Sequence, residues 1–302
     1  MTFTIIARDA GAGEMGIASQ SHFFAVGSLV GRSLPGVGVI ASQAFADPSY
    51  IARGFAALEE EGDPEGVLRA LVAEDSAADI RQVGIMSADH GSAVYTGERC
   101  VVPAGGFAED DLICMGNMLA APVWEAMRDA YRTSTGPLAE RLVAALHAGQ
   151  SAGGDIRGKQ SAMLVVTRIA ASAAPWTDVL VDLRVDDHPT PIDELSRLVE
   201  LQLGYRSLGE ALFSPSLVAG TADDSEALER AEAALSRADE ILSPNLEPLV
   251  WRAVIRARAG KLDEARADAN AAIASHPPYR SFLQNLHASG FLSAGALSAL
   301  VD

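Results

Sequence analysis

Residues 1–9 read MTFTIIARD, and the rest of the chain is organised around this stretch. Thr, Phe and Ile favour strands, and the glycines that follow supply a turn before a second strand at 15–20. If a methionine aminopeptidase removes Met1, Thr2 carries a free α-amine and a hydroxyl at the start of a buried strand. An α-amine titrates near ~7.7–8.0, so we expect it to act as the general base for its own hydroxyl. The alternative is that Thr2 only begins a strand.

The composition predicts a soluble protein with a sizeable core. The chain has 302 residues, of which 49% are hydrophobic, and its formal net charge is -17. Nucleic acid and anionic membranes would repel such an acidic surface, so neither is expected as a partner. No apolar run reaches the ~20 residues of a membrane span, and residues 1–30 lack the pattern of a signal peptide. We therefore expect a cytoplasmic protein.

The cysteines and histidines predict neither a metal site nor a bound cofactor. Cys100 and Cys114 are too few for a disulfide framework, and they are not spaced as zinc ligands. The six histidines form no HxH or HxxxH pair, so a zinc site is not expected. The glycines at 36 and 38 precede a predicted strand and lack the rest of a nucleotide-binding GxGxxG pattern, and the sequence has no P-loop. The two thiols are interpreted as core residues, and a thiol enzyme that uses one of them is an alternative.

The order of predicted elements favours an α+β fold. Strands come first, followed by two helices, further strands, two more helices, two strands and a helix that ends near 203. Strands and helices do not alternate strictly, so a doubly wound parallel sheet fits the pattern poorly. We expect two antiparallel sheets packed together, with helical layers outside them. The apolar run at 162–166 suits a strand that is buried on both faces.

A change in composition places the domains at 1–205 and 206–302. Alanine, arginine, glutamate and leucine dominate the second part, and its apolar spacing predicts helices only. The predicted helical hairpin at 247–275 resembles one tetratricopeptide repeat, and Pro244 and Pro277 are separated by about one ~34-residue repeat. We expect a small helical tail that mediates dimerisation or contact with a protein partner. Polar helices without any partner are the alternative.

A polar loop leads into the strand predicted at 162–167. Two adjacent glycines precede Asp155, and Arg157, Gln160 and Ser161 follow it. Polar side chains at the end of a core strand need partners. Asp155 is expected to orient an amine or to accept a substrate donor, and Arg157 to clamp a carboxylate. Ser161 is expected close to the reacting centre and Gln160 close to the substrate, and a purely structural loop with an Asp–Arg pair is the alternative.

Three further polar residues are candidates for the same site. Asn117 joins a predicted strand to a predicted helix, where it either caps the helix or donates its side-chain amide to an oxyanion. Ser21 and His22 are neighbours on a strand, so their side chains point to opposite faces and do not form a serine-triad pair. Ser21 is expected to hydrogen-bond near Thr2, and His22 to contact the substrate.

A series of segments in chain order carries a resemblance to a known family. The segments are TFTIIARD at 2–9, QSHFFAVG at 20–27, RQVG at 81–84, GNML at 116–119, AGQ at 148–150, GGD at 153–155, RGKQS at 157–161 and VDLRVDDHP at 181–189. Together they resemble the domain-of-unknown-function family 1028 over roughly residues 1–205. The resemblance implies the N-terminal-nucleophile (Ntn) hydrolase fold, a four-layer αββα sandwich related to proteasome β-subunits. It also implies amide-bond hydrolysis, without a named substrate.

Two functional hypotheses follow. The first is an Ntn-type amidohydrolase that cleaves a C–N bond of a small amide or ureide, with Thr2 as nucleophile and Asn117 with backbone N–H groups as oxyanion donors. Asp155 or Ser21 orients the amine, and no cofactor or metal is required. Proteasome-like enzymes keep a lysine beside the nucleophile, and Lys159 is the only lysine of the predicted sandwich. The second hypothesis is a non-catalytic scaffold whose tail recruits a protein partner; a homodimer is expected in either case.

Overall fold

The computed structural model describes residues 2–213 and 225–301, except for the side chain of residue 61. The chain divides into two compact units, Met1–Val199 and Glu200–Asp302. Each unit is described by itself below. None of the described helices is both long and apolar enough to cross a membrane.

Ten strands form two antiparallel sheets in the first unit. The strands are β1 Thr2–Asp9, β2 Glu14–Ser21, β3 Gly31–Leu34, β4 Gly38–Ala44, β5 Arg81–Ser87, β6 Ser92–Thr96, β7 Gly105–Glu109, β8 Leu112–Asn117, β9 Ser161–Arg168 and β10 Val179–Val185. The six-stranded sheet has the order β10-β9-β2-β1-β8-β7, and the four-stranded sheet has the order β3-β4-β5-β6. Every pairing within them is antiparallel, which excludes a parallel sheet in the described residues.

Ten α-helices complete the described residues. They are α1 Ser49–Glu61, α2 Pro64–Glu74, α3 Trp124–Thr133, α4 Leu138–Ser151, α5 Pro191–Leu212, α6 Ser225–Leu242, α7 Glu247–Arg258, α8 Leu262–Ser275, α9 Tyr279–Ala288 and α10 Ala294–Val301. The start of α2 illustrates how the sequence sets these bounds. Asp63 accepts hydrogen bonds from the main-chain N–H groups of Glu65 and Gly66, and Pro64 occupies the first turn.

The strands place alternate side chains in different apolar clusters. In β1, Phe3 and Ile5 pack with residues of α3 and α4, whereas Ile6 packs in a cluster that contains residues of both sheets. A third cluster joins Ile40 and Ile85 of the four-stranded sheet to α1 and α2. Full burial of one such side chain contributes about 1.5–3 kcal/mol. The first unit is therefore a mixed α+β structure with two antiparallel sheets, as the order of predicted elements indicates.

The structure corrects two details of the predicted elements. The sequence predicts a helix from about residue 119, but Leu119 instead forms a bridge with Asp155, and α3 begins only at Trp124. The short strands β3 and β7 are not expected from the sequence. Both lie at sheet edges, where exposed positions and glycines blur the apolar alternation that identifies a strand.

The second unit packs its helices around small side chains. Its cluster contains eleven buried alanine and leucine positions in α6, α7 and α8 alone: Leu228, Ala231, Ala234, Leu235, Ala238, Leu242, Ala253, Ala257, Ala265, Ala269 and Ala272. Charged groups are also drawn into this unit. Asp268 is buried and binds Arg252 at 2.9 Å and Arg256 at 2.8 Å. Trp251 and Phe282 meet edge to face, with ring centroids 5.6 Å apart.

Candidate active site at the start of the first strand

Thr2 begins β1 in the interior of the six-stranded sheet. It pairs with Asn117 at the end of β8, and the next residue of β1, Phe3, pairs with Gln20 of β2. Thr2 is buried, and its Oγ1 donates a hydrogen bond of 3.3 Å to Ser21 Oγ. The start of β1 thus meets the ends of β2 and β8, which brings three sequence-predicted site residues together.

A cavity of about 390 Å³ opens beside Thr2. Its lining residues are Thr2, Ser21, Phe23, Val26, Leu29, Val30, Gln43, Ala44, Phe45, Ala46, Ile80 and Arg81. Thr2, Ser21 and Gln43 supply buried polar groups, whereas Phe23 and Phe45 are each 51% exposed. The walls are mainly apolar, and neither Asn117 nor the 155–161 loop is among the lining residues that the structure describes.

A chain of buried side-chain amides lies beside Thr2, and sequence reasoning missed it. Gln82 Nε2 donates to the main-chain carbonyls of Gly105 and Gly116, each at 3.0 Å. Carbonyls only accept, so this end of Gln82 must be the NH₂ group and the other end must be the oxygen. Gln82 Oε1 then accepts from Gln43 Nε2 at 2.7 Å and from Asn117 Nδ2 at 3.0 Å.

The same logic fixes the orientation of the Asn117 amide. Nδ2 faces Gln82 Oε1, so Oδ1 points the other way. Asn117 is fully buried, and its Oδ1 has no hydrogen-bond partner among the described residues. Residues directly opposite in an antiparallel pair have Cβ atoms about 4.5–5.5 Å apart on one face of the sheet. Asn117 is the residue paired with Thr2, so its unpartnered Oδ1 belongs to the side chain directly opposite Thr2 in the sheet.

Gln43 connects the two sheets. Its Nε2 also donates to the Thr2 carbonyl at 3.2 Å, and its Oε1 accepts from Thr4 Oγ1 at 2.5 Å. Since the Thr4 hydroxyl proton is used there, Ser19 Oγ must donate to Thr4 Oγ1 across 2.8 Å. The main chain of Thr2 is consequently held by a directed set of neutral hydrogen bonds.

The predicted polar loop is built around Asp155. This carboxylate is buried and accepts from the main-chain N–H groups of His22 and Arg157, both at 2.8 Å. Arg157 Nη2 also donates to it at 3.2 Å. Asp155 therefore fixes the segment that follows β2. The exposed Lys159 lies in the same loop and does not line the cavity.

Ser161 and Gln160 fasten the other side of that segment. Ser161 pairs with Ser21 between β9 and β2, and its Oγ accepts from Val26 N at 3.1 Å and donates to Phe23 O at 2.5 Å. Gln160 N donates to Ser21 O at 3.1 Å, and the Gln160 side chain donates from Nε2 to Asp187 Oδ1 at 3.2 Å. Both predicted residues hold the main chain that carries Phe23 into the cavity wall.

Three non-glycine residues near these strand ends adopt a left-handed backbone conformation. Ala25 has φ 53°, Ala44 has φ 66° and Met118 has φ 50°. Ala44 lines the cavity, and Met118 directly follows Asn117. Such conformations are costly for residues with a Cβ and persist where the surroundings impose them. The turns at this end of the sheets are thus held in defined positions.

Neither thiol has the environment of a reactive cysteine. Burial raises the pKa of Cys114 far above its usual range, and burial also raises the pKa of Cys100. The thiolate is therefore disfavoured at both positions. Among the described residues, no cluster of three or more His, Cys, Asp or Glu side chains is placed to hold a metal ion.

The sequence contained a signal for one of the missed amides, Gln43. Ile17–Gln20 and Ile40–Gln43 both read Ile-Ala-Ser-Gln, and a phenylalanine follows each of them shortly afterwards, as Phe23 and Phe45. The repeat marks the ends of β2 and β4, which are the two strands that bring these phenylalanines to the cavity.

Comparison with known proteins yields a family and a solved relative. The model of DUF1028, a family of unknown function, matches residues 2–195. The crystal structure of protein SPO2555 from Silicibacter pomeroyi, which carries the same family model, is similar with a TM-score of 0.60 and 30% sequence identity. The similarity covers 66% of this chain and 88% of that one. No curated protein matches the chain.

Proposed function

The chain belongs to the DUF1028 family, whose function is unknown, and we propose that it is an Ntn-type amidohydrolase. Thr2 is the nucleophile, and the reaction cleaves a C–N bond of a small amide or ureide. One observation carries the proposal: the buried Thr2 hydroxyl lies at a cavity, against Ser21, with an unpartnered buried acceptor on the paired residue Asn117.

The proposed chemistry needs a free α-amine on Thr2, and therefore a mature chain that begins at this residue. The amine takes the hydroxyl proton while Oγ1 attacks the substrate carbonyl carbon. The tetrahedral intermediate collapses, the C–N bond breaks, and the leaving nitrogen takes the proton from the ammonium group. Water, deprotonated by the same amine, then hydrolyses the acyl-Thr2 ester and restores the hydroxyl.

Asn117 takes a different part in this proposal from the one expected from its sequence context. Its Nδ2 already gives one hydrogen to Gln82, whereas Oδ1 is a buried acceptor without a partner among the described residues. An unmet buried acceptor is costly, and the α-amine of the opposite residue supplies donors. We assign Oδ1 the role of holding the amine and Ser21 that of orienting the hydroxyl.

The remaining candidates act on the walls of the site in this proposal. Asp155 and Ser161 hold the segment after β2 through His22 N, Phe23 O and Val26 N. Arg157 completes the charge balance of Asp155 at 3.2 Å. These contacts support positioning rather than chemistry for the 155–161 loop, and they leave the oxyanion donors to main-chain N–H groups.

The proposal extends to the architecture. The two sheets, each packed against helices, support a four-layer αββα sandwich of the Ntn type for the first unit. The helix pairs α6–α7 and α7–α8 follow one another through short connections and share one apolar cluster, which supports a tetratricopeptide-like tail. We further propose a cytoplasmic homodimer, with the tail as the surface for the second copy or for a protein partner.

The decisive experiment is to trap the acyl enzyme. Natively expressed, untagged chain is treated with a panel of β-lactones, which acylate an activated hydroxyl by ring opening, and the adduct is located by peptide mass spectrometry. We expect mature chains to begin at Thr2 and to carry the adduct there. The Thr2→Ala variant should lose it, Thr2→Ser should keep it, and the exposed control Thr133→Ala should behave as the parent.

Retention of Met1 on the bulk of the protein, together with no adduct at Thr2, would overturn the proposal. The scaffold hypothesis would then take its place. An adduct on Cys100 or Cys114 instead would transfer the chemistry to a thiol, against the burial of both side chains.

A further inference from the structure

The cavity beside Thr2 selects among possible substrates through its walls. Resting on the proposed function, we infer that the substrate group seated in this cavity is an uncharged aryl group, and that a carboxylate is excluded from it. The cavity volume of about 390 Å³ lies within the roughly 300–1,000 Å³ of small-molecule sites. It is sufficient for a phenyl ring on a short chain that leads to the reacting carbonyl.

Two half-exposed phenylalanines form the aromatic part of the wall. Phe23 follows β2 and Phe45 follows β4, and both line the cavity with 51% of their surface in water. Val26 and Ile80 add apolar surface to the same wall. Covering exposed aromatic surface with another ring gains the hydrophobic term and a favourable ring–ring geometry.

The one charged side chain on the described wall is already neutralised. Arg81 Nε donates to Asp75 Oδ2 at 2.9 Å, and Arg81 also binds the Phe45 carbonyl. Asp75 in turn accepts from Tyr50 OH at 3.1 Å and Ala77 N at 2.8 Å. An incoming carboxylate would have to compete with this multiply bonded carboxylate for Arg81, and it would approach a chain of net charge -17.

The carboxylate clamp expected from the sequence is not at this wall. Arg157 is not among the described lining residues, and it is engaged with Asp155 at 3.2 Å. The polar side chains that do face the cavity, on Thr2, Ser21 and Gln43, carry neutral hydroxyls and an amide, and the Thr2 α-amine acts as the general base of the proposed reaction in its uncharged form. They suit an amide or ureide carbonyl, not an anion.

A matched pair of ketones tests this inference without any turnover. Benzylacetone and levulinate share the same methyl ketone chain, and they differ in ending with a phenyl ring or a carboxylate. Binding to the full-length chain is measured by titration calorimetry and by ligand-observed NMR. We expect benzylacetone to bind and levulinate to show no binding at the same concentration. Equal binding of both, or binding of levulinate alone, would overturn the inference.

Two variants locate the binding. Phe45→Ala should weaken benzylacetone by about fivefold, the loss expected for one aromatic contact. Phe24→Ala is the matched control, because Phe24 is 62% exposed and adjacent to Phe23 but does not line the cavity. It should leave the affinity unchanged. Equal losses in both variants would contradict the assignment of the ring to this cavity.

A third variant should reverse the selectivity. Asp75→Asn removes the charge that neutralises Arg81, so levulinate should begin to bind while benzylacetone binding persists. Circular dichroism checks that each variant is folded. Neither ketone contains a hydrolysable bond, so these outcomes are independent of acylation at Thr2. An adduct at Thr2 without aryl selectivity would overturn only this inference. Aryl binding by a protein that retains Met1 and forms no adduct would overturn only the hydrolase proposal.

Discussion

The segments Ile17–Gln20 and Ile40–Gln43 have the same sequence and opposite environments. In β2, Ile17 belongs to the cluster between the sheets; in β4, Ile40 belongs to the cluster with α1 and α2. The two glutamines also lie on different faces of their sheets. Gln43 faces the six-stranded sheet and bonds with Thr2, Thr4 and Gln82, whereas Gln20 lies on the face of β2 that carries Ala18 into the cluster with α4.

The difference leaves one amide satisfied and the other not. Both Gln20 and Gln43 are buried, yet neither side-chain polar atom of Gln20 has a hydrogen-bond partner among the described residues. Strand side chains alternate, so a shift of one residue between the two faces exchanges every inward and outward position. Identical local sequence therefore does not determine which residue becomes part of the site.

The largest expected effect on stability comes from removing the hydrogen-bonded amide of Gln43. Gln43→Leu leaves the Gln82 oxygen, the Thr4 hydroxyl and the Thr2 carbonyl each without one partner, so we expect a loss of about 3 kcal/mol in the free energy of unfolding. Urea denaturation measures the loss, and hydrogen exchange in β1 and β4 assigns it to the first unit. A change below about 1 kcal/mol would show that these hydrogen bonds do not stabilise the site.

The next prediction concerns Asn117, which donates to Gln82 in the chain of buried amides. Asn117→Asp puts a carboxylate opposite the proposed Thr2 amine, and a nearby negative charge raises the pKa of an amine. The rate of β-lactone labelling at Thr2 should then rise with pH about one unit later than in the parent, a shift equivalent to about 1.4 kcal/mol.

Asn117→Ala is the control for this shift, because it removes the acceptor without adding charge. It should slow labelling without moving the pH profile upward. A slower reaction with an unshifted profile in Asn117→Asp as well would assign Asn117 to oxyanion stabilisation instead, as its sequence context suggests.

Replacing Gln20, the buried glutamine without hydrogen-bond partners among the described residues, should change the stability in the opposite direction. Gln20→Leu replaces a buried amide that lacks partners by an apolar side chain of similar size, so we expect the free energy of unfolding to rise by about 1 kcal/mol. The same denaturation experiment measures it. A loss comparable to that of Gln43→Leu would mean that Gln20 binds an internal water or a ligand that stabilises the fold.

The smallest effects are expected from the two serines of the repeat. Ser19 donates to Thr4 between the sheets, and Ser42 Oγ accepts from Asp47 N at 3.1 Å near the start of α1. Ser19→Ala and Ser42→Ala should each lower the free energy of unfolding by about 0.5–1 kcal/mol, with the larger loss at the fully buried Ser19–Thr4 pair. If both variants lost equally little stability, the environments of Ser19 and Ser42 would not differ in their effect on folding.

A further prediction concerns the division into two units. Deletion of residues from about 222 onwards should leave the first unit folded, because all ten described strands lie before residue 186. Cooperative thermal unfolding of the truncated chain is the measurement. A truncated chain without a cooperative transition would mean that the two units form one domain.

The sequence predicted the strands more completely than the site. The strands expected at 2–9 and 15–20 are observed as β1 and β2 because strand-forming residues and flanking glycines are local features. It also singled out Asp155 and Ser161, since polar groups in a strand-end loop are conspicuous. The sequence also predicted that Arg157 binds a substrate carboxylate, whereas in the structure Arg157 forms an ion pair with Asp155. The partner of such a charged side chain depends on which groups lie close to it in the folded protein.

What the sequence determined by itself was most of the helices and strands and the two composition zones, and it singled out Thr2 as a candidate nucleophile. Periodicity, turn residues and composition act over short stretches, so they can be read without the fold. Only the tertiary structure decided that Gln43 and Gln82 join Asn117 beside Thr2, and that Phe23 and Phe45 form one wall. Those residues come from different sheets, and their roles depend on which face each strand presents. Sheet packing fixes that choice, because it buries one face of β2 and the opposite-parity face of β4 against each other.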